Sequence, residues 1–281
     1  MGNASTRLRV LRAGFSALGP VAPSLAAEYA ERLFCRPPHR DLREHEVAFL
    51  ATGARFDIRT DQERLAAWRW GADGPLAILL HGWGSRAARW HRLVPALVQD
   101  GFRVVAYDQP AHGQSSGHLA SLPQFVRALE AAVARLDASP ALLVGHSLGA
   151  SALAIAMHRG VATRRAVLLS APAEQREYAE RFARTIGLPD EARAIMADNL
   201  SRRLGFTWND LDIPALAQGF SVPALIVHDR ADQDVGFSHA ERIAQQWPGA
   251  ELVPTDGLGH SGALDDPVIV QRIRDFAAGA R

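Results

Sequence analysis

Ser147 lies in Gly145-His146-Ser147-Leu148-Gly149, a G-x-S-x-G pattern set between the apolar run Ala141 to Val144 and a helix-forming stretch from Leu148 to about Arg159. A serine on a tight strand-to-helix turn sits at strained backbone angles, and glycines beside it let the two elements approach closely. The free N–H groups and positive end of the following helix then face any negative charge that develops there. A serine hydroxyl is a poor nucleophile at neutral pH, so it needs a base, and the base needs a carboxylate to orient it. The chain supplies both, in order. After an apolar run at Ala224 to Val227 comes His228-Asp229-Arg230-Ala231-Asp232-Gln233-Asp234-Val235, and near the C-terminus comes Gly257-Leu258-Gly259-His260-Ser261. Of the eleven histidines, His260 alone follows the last expected strand in a glycine-flanked loop. Asp229, Asp232 and Asp234 compete for the acid.

Other chemistries fit less well. Gly82-Trp83-Gly84-Ser85-Arg86-Ala87, with Asp108 at the end of the next strand, is a literal dinucleotide-binding fingerprint. However, two strands precede it, Trp83 and Arg86 crowd the turn, and it leaves Ser147 and His260 without a role. His81, His112 and His146 are expected to hydrogen-bond loop backbone, and His91, His118, His158 and His239 to occupy exposed positions. No histidine pair has H-E-x-x-H or H-x-H spacing, and the 229–236 acids miss the register of a calcium loop, so no metal site is expected. All 31 basic residues are arginine, which excludes Schiff-base lysines and the P-loop lysine. With 30 acidic residues against them there is no basic excess for nucleic acid. The single Cys35 forms neither an internal disulfide nor a multi-thiolate zinc site.

The elements that must position these residues alternate between strand and helix, predicting an α/β architecture. Strands are expected at Val47 to Leu50, Leu65 to Trp70, Leu76 to Leu80, Phe102 to Tyr107, Ala141 to Val144, Ala166 to Leu169, Ala224 to Val227 and Glu251 to Val253. Helical patterns run from Ala87 to Leu97, Leu122 to Leu136 and through Val268, Ile273 and Phe276. Residues 45–171 and 222–281 are read as the catalytic domain, and 172–221 as an inserted helical lid after the sixth strand, with helices near Glu174 to Ile186 and Asp190 to Leu204. The lid arginines are interspersed with acids, so they imply no anionic substrate. Residues 1–44 form an N-terminal helical segment with a helix near Leu25 to Phe34. Arg7, Arg9 and Arg12 before an Ala/Leu-rich run faintly imitate a signal peptide, but Gly19, Pro20 and Pro23 break the run. No stretch has the ~18 uninterrupted apolar residues of a membrane helix. A cytoplasmic protein without membrane or nucleic-acid partners is expected, and oligomeric state is not legible.

From about residue 45 onward the sequence resembles the α/β-hydrolase fold family, esterase- and lipase-like members above all. The resemblance is carried by His81-Gly82-Trp83-Gly84, Asp108-Gln109-Pro110-Ala111-His112-Gly113-Gln114-Ser115, the turn at Ser147, the acid loop and the terminal Gly259-His260. It implies a mostly parallel sheet of about eight strands, with Ser147 as nucleophile, Asp232 as the triad acid and His260 as base. It also implies an oxyanion hole from the backbone N–H groups of Trp83 and Leu148. One departure is Ala111, where the family pattern often has glycine. Relatives that open epoxides or remove halide generally use aspartate at the turn, so serine favours acyl transfer. The resemblance thus implies a carboxylesterase acting on a small or medium acyl ester without cofactor. Thioester cleavage, carbon–carbon hydrolysis and perhydrolysis on the same triad, or a sensor module that retains it, are the alternatives.

Overall fold

The computed structural model describes residues 2–280. The chain forms two compact units, one of residues up to Arg36 with Glu174–Leu211, the other of Pro37–Ala173 with Asp212–Arg281.

The larger unit is built on one sheet of eight strands: β1 (Ala54–Arg59), β2 (Arg64–Trp70), β3 (Leu76–Leu80), β4 (Arg103–Tyr107), β5 (Leu142–His146), β6 (Arg165–Leu169), β7 (Ala224–Asp229) and β8 (Ala250–Thr255). Their spatial order is β1-β2-β4-β3-β5-β6-β7-β8. β2 pairs antiparallel with β1 and with β4, and every other pairing is parallel. β3, β5 and β7 are buried at every position, as strands covered on both faces should be. Alternate residues, among them Leu79, Val104, Val144, Val167 and Leu225, share one core with Trp90, Leu93, Leu97 and Ile273. The pleat sends their neighbours to the opposite face. There the helices Leu122–Leu136 and Leu148–His158 pack on each other, and the second contacts β3, β5 and β6.

Two local readings change. Val47 to Leu50, expected as a strand, belongs to a helix, Glu44–Ala51. The Arg43 N–H donates to the Glu46 carboxylate at 2.8 Å, closing the first turn, and two acids favour the helix N-terminus. The first strand is Ala54–Arg59, a mostly exposed edge that alternates Ala54, Phe56 and Ile58 with charged residues and has no continuous apolar run. His239, expected exposed, is buried and its Nδ1 accepts the Ala173 N–H at 3.1 Å.

The smaller unit contains the helices Gly2–Leu18, Pro23–Phe34, Arg176–Thr185 and Asp190–Leu204. The N-terminal segment and the insertion therefore share one unit, while the helix Ile213–Ala217 belongs with the sheet. Pro23–Phe34 packs along Asp190–Leu204, Phe34 meets Phe182 at 5.2 Å, and the buried Glu31 pairs with Arg203 at 2.6 Å. Among the described residues no helix is long and apolar enough to cross a membrane.

At Gly149 the helix after β5 nearly touches the end of β3. A Cβ there would lie 2.4 Å from Leu80 O and 2.6 Å from His81 O, both backbone atoms that cannot swing aside. Gly149→Ala is predicted to lower unfolding free energy by about 1–3 kcal/mol, the typical cost of overpacking, and urea denaturation would measure it.

Candidate active site

The site lies at the C-terminal ends of β5, β7 and β8. Ser147 follows β5 directly and begins the helix Leu148–His158 at φ 52°, ψ −124°, a region that L side chains rarely occupy. Its N–H donates to Leu169 O at 2.8 Å, which ties the turn to β6. Neither neighbouring glycine has room for a side chain, since a Cβ on Gly145 would lie 2.5 Å from Ala150 Cα.

His260 reaches this turn from the short helix Gly259–Gly262 that follows β8, where a loop was expected. The Ser147 hydroxyl donates to His260 Nε2 at 3.0 Å, and His260 Nδ1–H donates to Asp232 Oδ2 at 2.8 Å. The structure thus brings Ser147, His260 and Asp232 together in one hydrogen-bonded chain. The other Asp232 oxygen accepts the N–H groups of Asp234 and Val235 at 2.9 and 3.0 Å. Burial pushes the Asp232 carboxyl up, but hydrogen bonds from His228, His260 and Val235 outweigh burial and hold it well below the ordinary carboxylate range. Asp229 does a different job: its carboxylate accepts from Ala231 N–H, Thr255 Oγ1–H and Leu258 N–H, at 2.9, 2.8 and 2.8 Å. It therefore anchors the His260 loop. Atoms of Asp232, Asp234 and His260 lie within 4.8 Å of one another, as a cation would require, yet the Nδ1 of His260 is committed to Asp232.

The Gly82 backbone closes the other side, since a Cβ there would come within 2.8 Å of Ser147 Cβ. The expected donors, Trp83 N–H and Leu148 N–H, have no protein acceptor among the described residues. Asp108 is no ribose ligand: it is buried and accepts from Ala87 N–H and Gln114 N–H, each at 2.7 Å.

The sequence model of the alpha/beta hydrolase family matches residues 77–271, more than half of the chain. The chain belongs to this family. A non-heme haloperoxidase from Rhodococcus erythropolis is 34% identical over 106 residues, 36% of this chain and 38% of that protein. A bifunctional esterase/perhydrolase from Acinetobacter calcoaceticus is 33% identical over 109 residues, 36% of this chain and 39% of that one. Both matches span well under half of the relative's length. The crystal structure of a carboxylesterase from Bacillus subtilis superimposes with a TM-score of 0.62 and 19% identity, covering 92% of this chain and 99% of that one.

Within this alpha/beta hydrolase, histidines outside the Ser147 chain hold the loops. His81 Nε2 accepts the Gln109 N–H at 2.9 Å, so its Nδ1–H must donate to Gly82 O at 2.7 Å. His112 Nε2 accepts the Gly84 N–H at 3.0 Å, and its Nδ1–H donates to Pro110 O at 2.8 Å. His146 Nε2–H donates to His260 O at 2.9 Å. His228 Nε2–H, 2.8 Å from Val235 O and 3.4 Å from Asp232 Oδ2, braces the acid loop. Sequence reasoning expected backbone roles for His81, His112 and His146. It missed the bracing by His228 and Asp229, which only a glance at the loop's spare polar residues could have suggested. Ala111 adopts φ 61°, a backbone conformation that glycine reaches at least cost.

Burial drives His81 well below its ordinary value, His112 down to about 4 and His146 down to about 3. The unfolded chain binds protons at these rings near pH 6.5, while the fold excludes them, so stability is lost as pH falls below about 6.5. Asp108, raised by burial to about 6, works the other way as one group against three. The Asp232 contribution is lost only below the ordinary carboxylate range. The melting temperature is predicted to fall between pH 7 and pH 4.5, and less steeply in His112→Gln, as scanning calorimetry across that range would show.

Proposed function

We propose that this alpha/beta hydrolase is a serine carboxylesterase that cleaves a small or medium acyl ester through an acyl-enzyme. The observation that carries the proposal is the continuous chain Ser147 Oγ–H to His260 Nε2 at 3.0 Å and His260 Nδ1–H to Asp232 Oδ2 at 2.8 Å. Ser147 attacks the acyl carbon while His260 takes its proton, and Asp232 holds the imidazole in the required tautomer and stabilises its charged form. The oxyanion forms against the N–H groups of Trp83 and Leu148. His260 then protonates the leaving alkoxide, and water, deprotonated by His260, cleaves the acyl-enzyme to acid and free Ser147.

A second reading, perhydrolysis, is supported by the likeness to the esterase/perhydrolase of Acinetobacter calcoaceticus. Hydrogen peroxide would replace water in the second half-reaction and leave with the acyl group as a peracid.

The wild type is predicted to hydrolyse p-nitrophenyl esters and to be labelled by a fluorophosphonate. Ser147→Ala abolishes the labelling, and Ser147→Ala and His260→Ala each lower kcat by three orders of magnitude or more, while Asp232→Asn costs about 10⁴-fold. Equal rates in the wild type and all three variants would remove the triad assignment. Peracid formation on adding peroxide, measured beside ester hydrolysis, separates the two readings.

A further inference from the structure

Ser147, His146, His260 and Trp83 open into a cleft of about 460 Å³, the size of a small-ligand site. Its walls are unusual for a site of this kind, which is ordinarily mostly apolar. Four arginines line it, Arg40, Arg43, Arg86 and Arg89, against two acids, Asp41 and Glu46. Two of the arginines are occupied. Arg86 faces Glu46 at 3.6 Å and donates to Asp41 O at 2.9 Å; Arg89 pairs with Asp265 at 2.6 Å and donates to Ser261 O at 2.9 Å. Arg40 and Arg43 form no ion pair among the described residues. The Asp41 carboxylate is fully exposed and its nearest ion-pair partner is His39, 4.0 Å away.

The segment that carries these two arginines is held against the floor of the site. A Cβ on Gly84 would lie 3.0 Å from the Pro38 ring, and Arg86 fastens the backbone at Asp41. The cleft therefore joins the Ser147 hydroxyl to two exposed arginines, Arg40 and Arg43, that form no ion pair among the described residues. A planar guanidinium matches a carboxylate by two parallel N–H···O bonds.

We propose that the ester this site takes carries a second, free carboxylate, as a hemiester of a short dicarboxylic acid does, and that Arg40 and Arg43 hold it. The inference rests on the serine-esterase reading. Hydrolysis breaks the acyl C–O bond, water supplies hydroxide to the acyl carbon and a proton to the alcohol, and the products are a dicarboxylate and an alcohol. The arginines of the helical insertion have no part in this.

Two substrates with the same five-carbon acyl chain test it: p-nitrophenyl hemiglutarate, which ends in a carboxylate, and p-nitrophenyl valerate, which ends in a methyl group. The wild type is expected to favour the hemiester in kcat/KM by about tenfold or more, the worth of one charge-assisted hydrogen bond. The preference should shrink with added salt and fall about tenfold in Arg40→Gln/Arg43→Gln, chiefly through KM. Calorimetric titration of Ser147→Ala with glutaramate and valeramide, which it does not turn over, reads the same preference without catalysis. Turnover of both esters with no preference, or a preference indifferent to the two substitutions, overturns the carboxylate site and leaves the hydrolase reading intact. Arginine-dependent glutaramate binding with neither ester hydrolysed overturns the esterase reading and supports the carboxylate site.

Discussion

The structure turns on the space denied at Ser147. Three backbone segments converge there: the end of β3, the turn itself and the first turn of the helix behind it. The nearest contact a Cβ would make at Gly82, Gly145 and Gly149 falls below 3.0 Å in each case, against backbone or the Cβ of Ser147. A residue at positive φ costs of order 1–3 kcal/mol and persists only where its surroundings leave no alternative. Here the parallel pairing of β3 with β5 and β5 with β6, with the Ser147 N–H on Leu169, supplies that over-determination. The order of the central strands is thus a condition for exposing one hydroxyl.

Asp232 and His260 are brought to that hydroxyl by a separate device. β7 and β8 run side by side with Asp229 opposite Thr255, and the Asp229 carboxylate gathers Thr255, Leu258 and Ala231 around itself. Its carboxyl is held below the ordinary range, because hydrogen bonds from Leu258, Thr255 and Ala231 outweigh desolvation. Asp232 is low for a similar reason, with different donors, two of them imidazoles. Three aspartates within six positions thus divide the work: one fixes the loop, one meets His260, and Asp234 is exposed.

This division also shows where the sequence is legible. Ser147 and His260 could be found from local pattern, since glycine spacing and strand order are backbone demands written in residue types. The choice among Asp229, Asp232 and Asp234 could not be made locally, because it depends on which carboxylate faces a ring 28 positions away. Buried parallel strands such as Leu76–Leu80 were plain as continuous apolar runs, whereas β1, a mostly exposed edge, carries only the alternation of Ala54, Phe56 and Ile58 with charged residues. Val47, Phe49 and Leu50 looked like a strand because a short apolar run has no period. Leu50 is buried and Phe49 stacks on Trp70 at 5.1 Å, contacts that a helix makes as readily. The pairing of Pro23–Phe34 with Asp190–Leu204 spans more than 150 residues of chain, and no local signal encodes it.

The buried histidines make the electrostatics of the site possible. The His146 ring stands 5.0 Å from the His260 ring, and a charge on it would oppose charging of His260 by about 3 kcal/mol at an effective dielectric of about 20. That would count against His260 in its proposed role as the base that takes the Ser147 proton. Burial, with His260 second, pushes His146 down to about 3, so it is neutral near neutral pH. A neutral imidazole can stack there and donate to the His260 carbonyl; an arginine in its place could donate but would bring the charge. The arginines of the cleft are accordingly kept off this position, with Arg89 tied to Asp265 and Arg86 facing Glu46. Arg40 and Arg43, on the segment before the helix Glu44–Ala51, form no ion pair among the described residues, and the carboxylate proposed for them would meet donors set in a rigid fork.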